Sequence, residues 1–181
     1  MQVIIDNKPY EVQEGMTIEQ ACMQAGIRIP TLCNLKDVSS NASCGICVVE
    51  VKGAKSLLRS CITKVTDGME ITTNNARILR ARKMNVELLL ANHPLDCQTC
   101  ERNQRCELQQ ITYEFGIDQR RLPRTRPKQL ERDYSSLSLI RDPEKCILCG
   151  RCVAVCKAVS YTHLRAHETV LDLVCRFLLE K

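Results

Sequence analysis

The chain has 181 residues, 13 cysteines, no tryptophan and a formal net charge of +5, and aromatic residues make up 3% of it. So few aromatic side chains predict a modest apolar core, and metal or cluster binding is therefore expected to supply part of the free energy of folding. No stretch approaches the roughly 18 apolar residues of a membrane-spanning helix, so no membrane span is predicted.

The N-terminus begins MQVIID and has no charged n-region followed by an apolar run, the pattern of a secretory signal. The sequence therefore predicts a cytoplasmic protein. A disulfide framework would need an oxidising compartment. Metal ligation is thus the favoured interpretation of the cysteines, with disulfide bridges as the alternative.

Residues 1–76 are predicted to form a small α+β domain. Runs of strand-forming residues occur at 3–5, 10–12, 47–51 and 69–72. Thr17 and Gln20 have the form of a capping box, which opens a short helix to about Ala25 with Gly26 as its stop. These elements indicate a sheet with one helix across a face.

Four cysteines of this domain have the spacing C-x10-C-x2-C-x13-C, namely Cys33, Cys44, Cys47 and Cys61. A [2Fe–2S] cluster needs four thiolates, and the C-x2-C pair places two sulfurs on one tight loop. Gly45 lies in that loop, where the lack of a side chain lets backbone N–H groups approach the cluster sulfurs. A four-cysteine zinc site is the alternative. Cys22, outside this pattern, is predicted to be a small buried hydrophobic residue.

Residues 77–117 are predicted to form a small helical module. Apolar residues recur at spacings of three and four, at Ile78, Ala81, Met84 and Leu88. This spacing predicts a helix over 75–92 with one apolar face. A second short helix is predicted at 107–113.

A histidine and three cysteines lie between these helices with the spacing H-x3-C-x2-C-x5-C, namely His93, Cys97, Cys100 and Cys106. Pro94 stiffens the loop after His93 and so restricts where its imidazole can point. A cluster with a neutral imidazole in place of one thiolate is less negative, which tends to raise its potential. A zinc ion held by three cysteines and one histidine is the alternative.

Residues 118–137 are interpreted as a basic linker. Most of the excess positive charge lies in the segment RRLPRTRPK at 120–128. Its two prolines favour an extended, solvated chain, and a docking strip for an acidic partner or nucleic acid is the alternative. No aromatic residues interleave the basic ones, so no nucleic-acid partner is predicted.

Residues 138–158 carry a third set with the spacing C-x2-C-x2-C-x3-C, namely Cys146, Cys149, Cys152 and Cys156. This is the bacterial ferredoxin pattern, in which the first three cysteines hold one [4Fe–4S] cluster and the fourth ligates a second cluster. Lys157 stands where that pattern usually has proline, and no second run follows. The first of these clusters is therefore expected to lack its fourth ligand here, and Cys156 to lack its cluster. A zinc site is the weaker alternative.

Residues 159–181 are expected to be non-native. The order over 159–169 resembles one translated frame of a transposase-type sequencing adaptor, and the match resumes over 173–179 with one mismatch. An ordinary amphipathic helix is the alternative. On the adaptor hypothesis the native protein is truncated after about Ala158, and three further residues are not ligands: His163, His167 and Cys175.

The three ligand sets, in this order, resemble the N-terminal region of [FeFe]-hydrogenases, including the NAD(P)-reducing, electron-bifurcating type. The same arrangement begins the large iron–sulfur subunit of complex I and some NAD-dependent formate dehydrogenase α subunits. The segment SLIRDPEK that leads into Cys146 is most similar to the hydrogenases.

This resemblance implies a plant-ferredoxin-type β-grasp domain with a [2Fe–2S] cluster on the first set and a helical module with a [4Fe–4S] cluster on the second. A truncated bacterial-type ferredoxin domain would follow. It also implies an oxidoreductase subunit that carries electrons, with no catalytic residue in this chain. The implied partners are a flavin- and NAD(P)-binding subunit and a small iron–sulfur subunit of a hetero-oligomer. A zinc-stabilised interaction module is the alternative of another class.

Overall fold

A computed structural model describes residues 1–36, 38–125, 131–135 and 140–160. The strands are β1 (Gln2–Ile5), β2 (Lys8–Glu11), β3 (Asn34–Leu35), β4 (Ser39–Ser40), β5 (Val48–Val51), β6 (Leu58–Arg59) and β7 (Glu70–Thr72). The helices are α1 (Ile18–Gln24), α2 (Ala76–Ala91), α3 (Glu107–Glu114) and α4 (Arg151–Ser160). Short 3-10 turns lie at Cys97–Thr99 and Pro143–Lys145. The hypothesis about residues 159–181 falls outside the described residues, apart from the end of α4, and stays a prediction.

Five strands form one mixed sheet in the order β2-β1-β7-β5-β6, and β3 pairs with β4 separately. Strands β1 and β7 run parallel, whereas the other neighbours in the sheet are antiparallel. Asp6 and Asn7 both have positive φ and form the tight turn between β1 and β2, a conformation that these two residue types tolerate. The ladder sets β2 at Lys8–Glu11, slightly earlier than the predicted 10–12.

Helix α1 covers one face of this sheet, as predicted. Thr17 Oγ1 accepts a hydrogen bond from the Gln20 backbone at 3.3 Å, and Gln20 Oε1 accepts one from the Thr17 backbone at 2.8 Å. These reciprocal bonds are the predicted capping box. The buried side chains of α1 pack on those of the sheet in a first apolar core. Cys22 is fully buried there, in agreement with its predicted structural role.

Helix α2 confirms the helix predicted over 75–92, and Asn75 caps it by accepting a hydrogen bond from the Ile78 backbone at 2.8 Å. The predicted apolar face was wrong in part. Met84 and Leu88 are 42% and 53% exposed, while two charged residues of α2, Arg82 and Glu87, are buried. The buried face is rotated because both charged side chains have hydrogen-bond partners in the interior.

A second apolar core joins the three successive segments of the chain. It comprises buried side chains from the loops of the first domain, from α2 and from α3, with part of the loop before α4 packed against it. The helix predicted at 107–113 is confirmed as α3. Among the described residues, no helix is long and apolar enough to cross a membrane.

Candidate metal centres

The first set of cysteines is buried and arranged as two pairs. Cys33 lies just before β3, Cys44 and Cys47 lie in the loop before β5, and Cys61 follows β6. The Cys47 thiol donates a hydrogen bond to Cys61 Sγ at 3.3 Å, and Cys44 is hydrogen-bonded to Cys33. The fold therefore brings together sulfurs from three separate segments.

Within each pair, one sulfur is prepared to be a thiolate. The hydrogen bond from Cys44 lowers the pKa of Cys33 to about 5, and the hydrogen bond from Cys47 lowers the pKa of Cys61 to about 7. The pKa values of Cys44 and Cys47 are raised, because each donates to its partner and is buried. Since iron binds thiolates, each pair offers one ready ligand and one thiol that loses its proton on binding.

Two pairs of sulfurs suit a centre with two irons, because each iron of a [2Fe–2S] cluster takes two protein ligands in addition to the bridging sulfides. The Ile46 backbone N–H donates to Cys44, and the Ser43 backbone N–H donates to Cys33. Such donors stabilise negative charge on the sulfurs. Among the described residues, no group of three or more His, Cys, Asp or Glu side chains is gathered around a single-ion position.

Gly45 has a second role that its sequence position does not reveal. Asn85 of α2 donates from Nδ2 to the Gly45 carbonyl at 2.6 Å, and a Cβ at Gly45 would lie 2.9 Å from that nitrogen. The φ of Gly45 is +65°, in the left-handed region. Glycine therefore lets α2 approach the cysteine loop closely.

The second set lies around the junction of α2 and α3. His93 follows α2, Cys97 begins a 3-10 turn and Cys106 precedes α3. Two cavities, of about 330 and 230 Å³, flank this junction: the first is lined by His93, Cys97 and Cys106, and the second by His93, Cys100 and Cys106. Each of the four predicted residues thus borders at least one of these cavities, and His93 and Cys106 line both.

The imidazole of His93 is oriented by its own loop. Its Nδ1 lies 2.8 Å from the Pro94 carbonyl oxygen. A carbonyl only accepts, so Nδ1 carries the proton and Nε2 is left as the potential ligand nitrogen. Burial raises the pKa of Cys97, and the nearby Cys106 and Cys100 add to that shift. Cations that neutralise these thiolates would therefore be favoured here.

The third set begins after the 3-10 turn at Pro143–Lys145 and continues into α4. Cys152 is exposed and Cys156 is buried, although both belong to α4. The Cys149 carbonyl accepts a hydrogen bond from Asn41 Nδ2 at 3.0 Å. A Cβ at Gly150, whose φ is +72°, would lie 2.6 Å from the same nitrogen. The loop of the third set is therefore fitted against the first domain.

Charged contacts also join the second set to the third. Arg151 forms an ion pair with Glu107 at 2.8 Å. Lys145 lies 3.5 Å from Asp96 and is hydrogen-bonded to Cys100. Lys145 immediately precedes a cysteine of the third set, so it bridges two ligand sets.

The described part of the basic segment is bound to the rest of the chain. Arg120 Nη2 donates to the His93 carbonyl at 2.6 Å, and Arg121 donates to both carboxylate oxygens of Glu87 at 3.0 and 2.5 Å. These bonds tie the start of the linker predicted over 118–137 to the buried Glu87 of α2 and to the partly buried His93, and the linker itself stays a prediction. Residues 126–130 and 136–139 lie outside the described residues.

Several residues at these centres were missed by sequence reasoning, namely Asn41, Arg82, Asn85 and Lys145. None belongs to a ligand pattern, and their partners lie far away along the chain. The one available signal was the position of Lys145 directly before Cys146.

Three segments of the chain, one around each ligand set, match known iron–sulfur families. Residues 1–76 match a 2Fe-2S iron-sulfur cluster binding domain, 82–121 match an NADH-ubiquinone oxidoreductase-G iron-sulfur binding region, and 139–159 match a 4Fe-4S binding domain. A subunit of NADP-reducing hydrogenase from Solidesulfovibrio fructosivorans is 44% identical over 162 residues, which cover 87% of this chain and 28% of that protein. Over most of its length the chain is therefore similar to the iron–sulfur region of oxidoreductase subunits.

Two other oxidoreductases are similar to the chain over a comparable share of its length, at lower identity. The NADH-ubiquinone oxidoreductase 75 kDa subunit of Reclinomonas americana is 38% identical over 83% of this chain and 22% of its own length. The crystal structure of an NAD+-reducing [NiFe]-hydrogenase superposes with a TM-score of 0.80 at 30% identity, over 87% of this chain and 66% of that one. The chain thus spans less than a third of the two curated relatives.

These matches confirm the predicted cofactors, [2Fe–2S] and [4Fe–4S] clusters, and the predicted resemblance. The zinc and disulfide alternatives are set aside by the same matches. The described chain is of mixed α+β content with ferredoxin-type iron–sulfur domains, which confirms the fold class at that level.

Proposed function

We propose that this chain conducts single electrons within an NAD(P)-linked hydrogenase subunit. The main support for this proposal is that the three ligand sets border one apolar core. Cys33 and Cys44 are buried in that core, and Cys106 and Cys149 pack against it. Clusters held at these positions would be neighbours separated by packed protein, which suits transfer from one to the next.

We propose the ligands as follows. Cys33, Cys44, Cys47 and Cys61 would hold the [2Fe–2S] cluster in a β-grasp domain over 1–76, and the two thiol pairs support this set. His93, Cys97, Cys100 and Cys106 would hold a [4Fe–4S] cluster in the module over 77–117, supported by the shared cavities. Cys146, Cys149 and Cys152 would bind a third cluster in the domain over 138–158, with Cys156 directed to a further one.

The clusters would supply the one-electron chemistry. The chain itself supplies ligands, donates hydrogen bonds to the sulfurs and excludes water with the second core. We identify no side chain in it as a catalytic acid, base or nucleophile. The electron donor or acceptor would be a flavin- and NAD(P)-binding partner subunit, with a small iron–sulfur subunit in the same assembly. These partners, and a cytoplasmic location, rest on the resemblance to multisubunit NAD(P)-linked enzymes.

A second candidate parent is the large iron–sulfur subunit of a complex I-type enzyme. The match of 82–121 to an NADH-ubiquinone oxidoreductase iron–sulfur region and the similarity to the 75 kDa subunit favour it. The greater identity to the NADP-reducing hydrogenase subunit, and the segment leading into Cys146, favour the hydrogenase. The complete coding sequence decides between them: cysteine motifs for a hydrogen-activating iron centre support the hydrogenase, and a molybdopterin-type domain contradicts it.

The relay itself is tested on the chain purified or reconstituted without oxygen. We expect brown protein that contains iron and acid-labile sulfide. After reduction, electron paramagnetic resonance (EPR) should show one [2Fe–2S] and one [4Fe–4S] signal, with a weak or unstable third. Colourless protein that binds zinc but no iron or sulfide under any reconstitution condition would contradict the proposal.

A further inference from the structure

Arg82 is a buried cation without a carboxylate of its own. It lies on α2 and is 5% exposed. Its Nε and Nη2 both donate to the Val48 carbonyl oxygen, at 3.2 and 2.8 Å. Within the part of the chain that the structure describes, no ion pair includes Arg82. A buried charge is strongly unfavourable unless an opposite charge lies close to it.

Three ionisable groups lie near enough to interact electrostatically with Arg82: Cys47, Cys22 and Asp6. Burial raises the pKa of Cys22 to about 12, so this thiol is neutral at physiological pH. The Asp6 carboxylate is held by the Thr73 backbone N–H at 2.8 Å and by the Thr73 hydroxyl at 2.5 Å, and it forms no ion pair with the guanidinium.

Cys47 is the remaining group, and its position in the sequence places it beside the guanidinium of Arg82. It directly precedes Val48, whose carbonyl Arg82 binds. Cys47 is one of the four proposed ligands of the [2Fe–2S] cluster, and iron binds cysteine as the thiolate. The compensating negative charge is thus expected to arrive with the cluster.

We propose that Arg82 is the buried counter-charge of the [2Fe–2S] cluster and raises its reduction potential. The inference rests on the proposed ligand set of Cys33, Cys44, Cys47 and Cys61. A four-thiolate cluster is anionic and gains one more negative charge when it accepts an electron. A fixed positive charge nearby stabilises the reduced form more than the oxidised form. Arginine stays protonated throughout, so the effect is constant.

The position of Arg82 also ties this cluster to the next module. Arg82 belongs to α2, which leads to His93, yet its guanidinium binds strand β5 next to Cys47. The counter-charge of the first cluster is therefore supplied by the segment that carries the second. Correct docking of α2 on the sheet becomes a condition for the first cluster to have its normal potential.

The test is an anaerobic redox titration of the full chain with dithionite, followed by EPR of the [2Fe–2S] signal. Arg82→Met keeps the length of the side chain and removes the charge, and Arg82→Lys keeps the charge. Arg80→Met removes an exposed charge from the same helix and is the matched control. At the wild-type midpoint potential, we expect the ratio of reduced to oxidised cluster in Arg82→Met to be about tenfold lower than in wild type. This corresponds to a midpoint potential that is lower by ~59 mV. Arg82→Lys and Arg80→Met should stay close to wild type.

An Arg82→Met potential equal to that of wild type overturns the inference, even if its cluster is less stable. If Arg82→Met assembles no cluster, Arg82→Lys decides: a loaded variant with the wild-type potential supports the counter-charge, and an empty one contradicts it. Absence of the [2Fe–2S] signal from the wild-type chain would instead contradict the proposed ligand set.

Discussion

At the scale of single residues, the first set of cysteines shows how burial and hydrogen bonding prepare ligands. Four buried thiols would be poor ligands if all had raised pKa values, because burial favours the neutral form. Pairing avoids this, since one thiol of each pair stabilises the thiolate of the other. The same burial without a partner keeps Cys22 a neutral thiol.

We therefore expect Cys61→Ser to abolish the [2Fe–2S] EPR signal and to leave the [4Fe–4S] signal of the second set in place. Serine is a poor replacement for a thiolate ligand. Cys22→Ala is the matched control, because it also removes a buried thiol of the first core. Loss of the [2Fe–2S] signal in Cys22→Ala, with retention in Cys61→Ser, would contradict the assignment.

His93 gives a second prediction at this scale. Its Nδ1 is held by the Pro94 carbonyl, which leaves Nε2 for iron. His93→Ala should remove or broaden the [4Fe–4S] signal of the second set alone. His93→Cys should restore a signal with a lower potential, because a thiolate adds negative charge. An EPR titration checks both, and an unchanged spectrum in His93→Ala would show that His93 is not a ligand.

At the scale of secondary-structure elements, α2 organises the molecule through its polar residues. Asn85 holds the cysteine loop, Arg82 holds strand β5 and Glu87 holds the segment after α3. Glu87 has a side chain only 3% exposed, whereas its partner Arg121 is 64% exposed. The buried carboxylate therefore depends on an arginine that reaches in from the surface.

Removal of that arginine should be unusually harmful for a surface substitution. We expect Arg121→Met to lower the free energy of unfolding of the loaded chain by more than the control variant does, because Glu87 loses a charged hydrogen-bond partner in the interior. Arg28→Met is the control, since the Arg28–Glu114 pair is exposed and should contribute at most about 1 kcal/mol. Urea unfolding measures both, and equal effects would contradict the role of Glu87 as a buried anchor.

At the scale of the whole molecule, the ligand sets are held together by a few fitted contacts. The second core joins them by apolar packing. Asn41 binds the loop of the third set, Arg151 binds Glu107, and Lys145 binds Asp96. The distances between the proposed clusters should therefore depend in part on contacts made by residues that are not ligands.

Gly150→Ala tests one of these contacts. The new Cβ would meet Asn41 Nδ2 at 2.6 Å and would also occupy a backbone with positive φ. Gly53→Ala has the same backbone strain, with φ of +86° and nothing within 4 Å of the new Cβ. We expect faster hydrogen exchange at 146–158 in Gly150→Ala than in wild type. Gly53→Ala should leave that segment unchanged, and equal exchange in the two variants would show that the Asn41 contact does not hold it.

Much of the local structure could be predicted from the sequence. The capping box at Thr17 and the extent of α2 are set by neighbouring residues, so short patterns were sufficient. The cysteine spacings predicted the clusters for a similar reason, because the ligands of iron–sulfur clusters occur at characteristic spacings in the sequence. The exposed Met84 and Leu88 show the limit, since their spacing was helical but their face was not the buried one.

The sequence by itself determined which clusters the protein binds and roughly where its helices and strands lie. Only the tertiary structure decided that Cys33 pairs with Cys44 and Cys47 with Cys61, and that Arg82 and Glu87 lie inside. These arrangements join residues far apart in the chain, and their energies depend on which buried partner is within reach. The spacing of apolar residues indicates which side chains share one face of a helix. It contains no information about a carbonyl or carboxylate on another element.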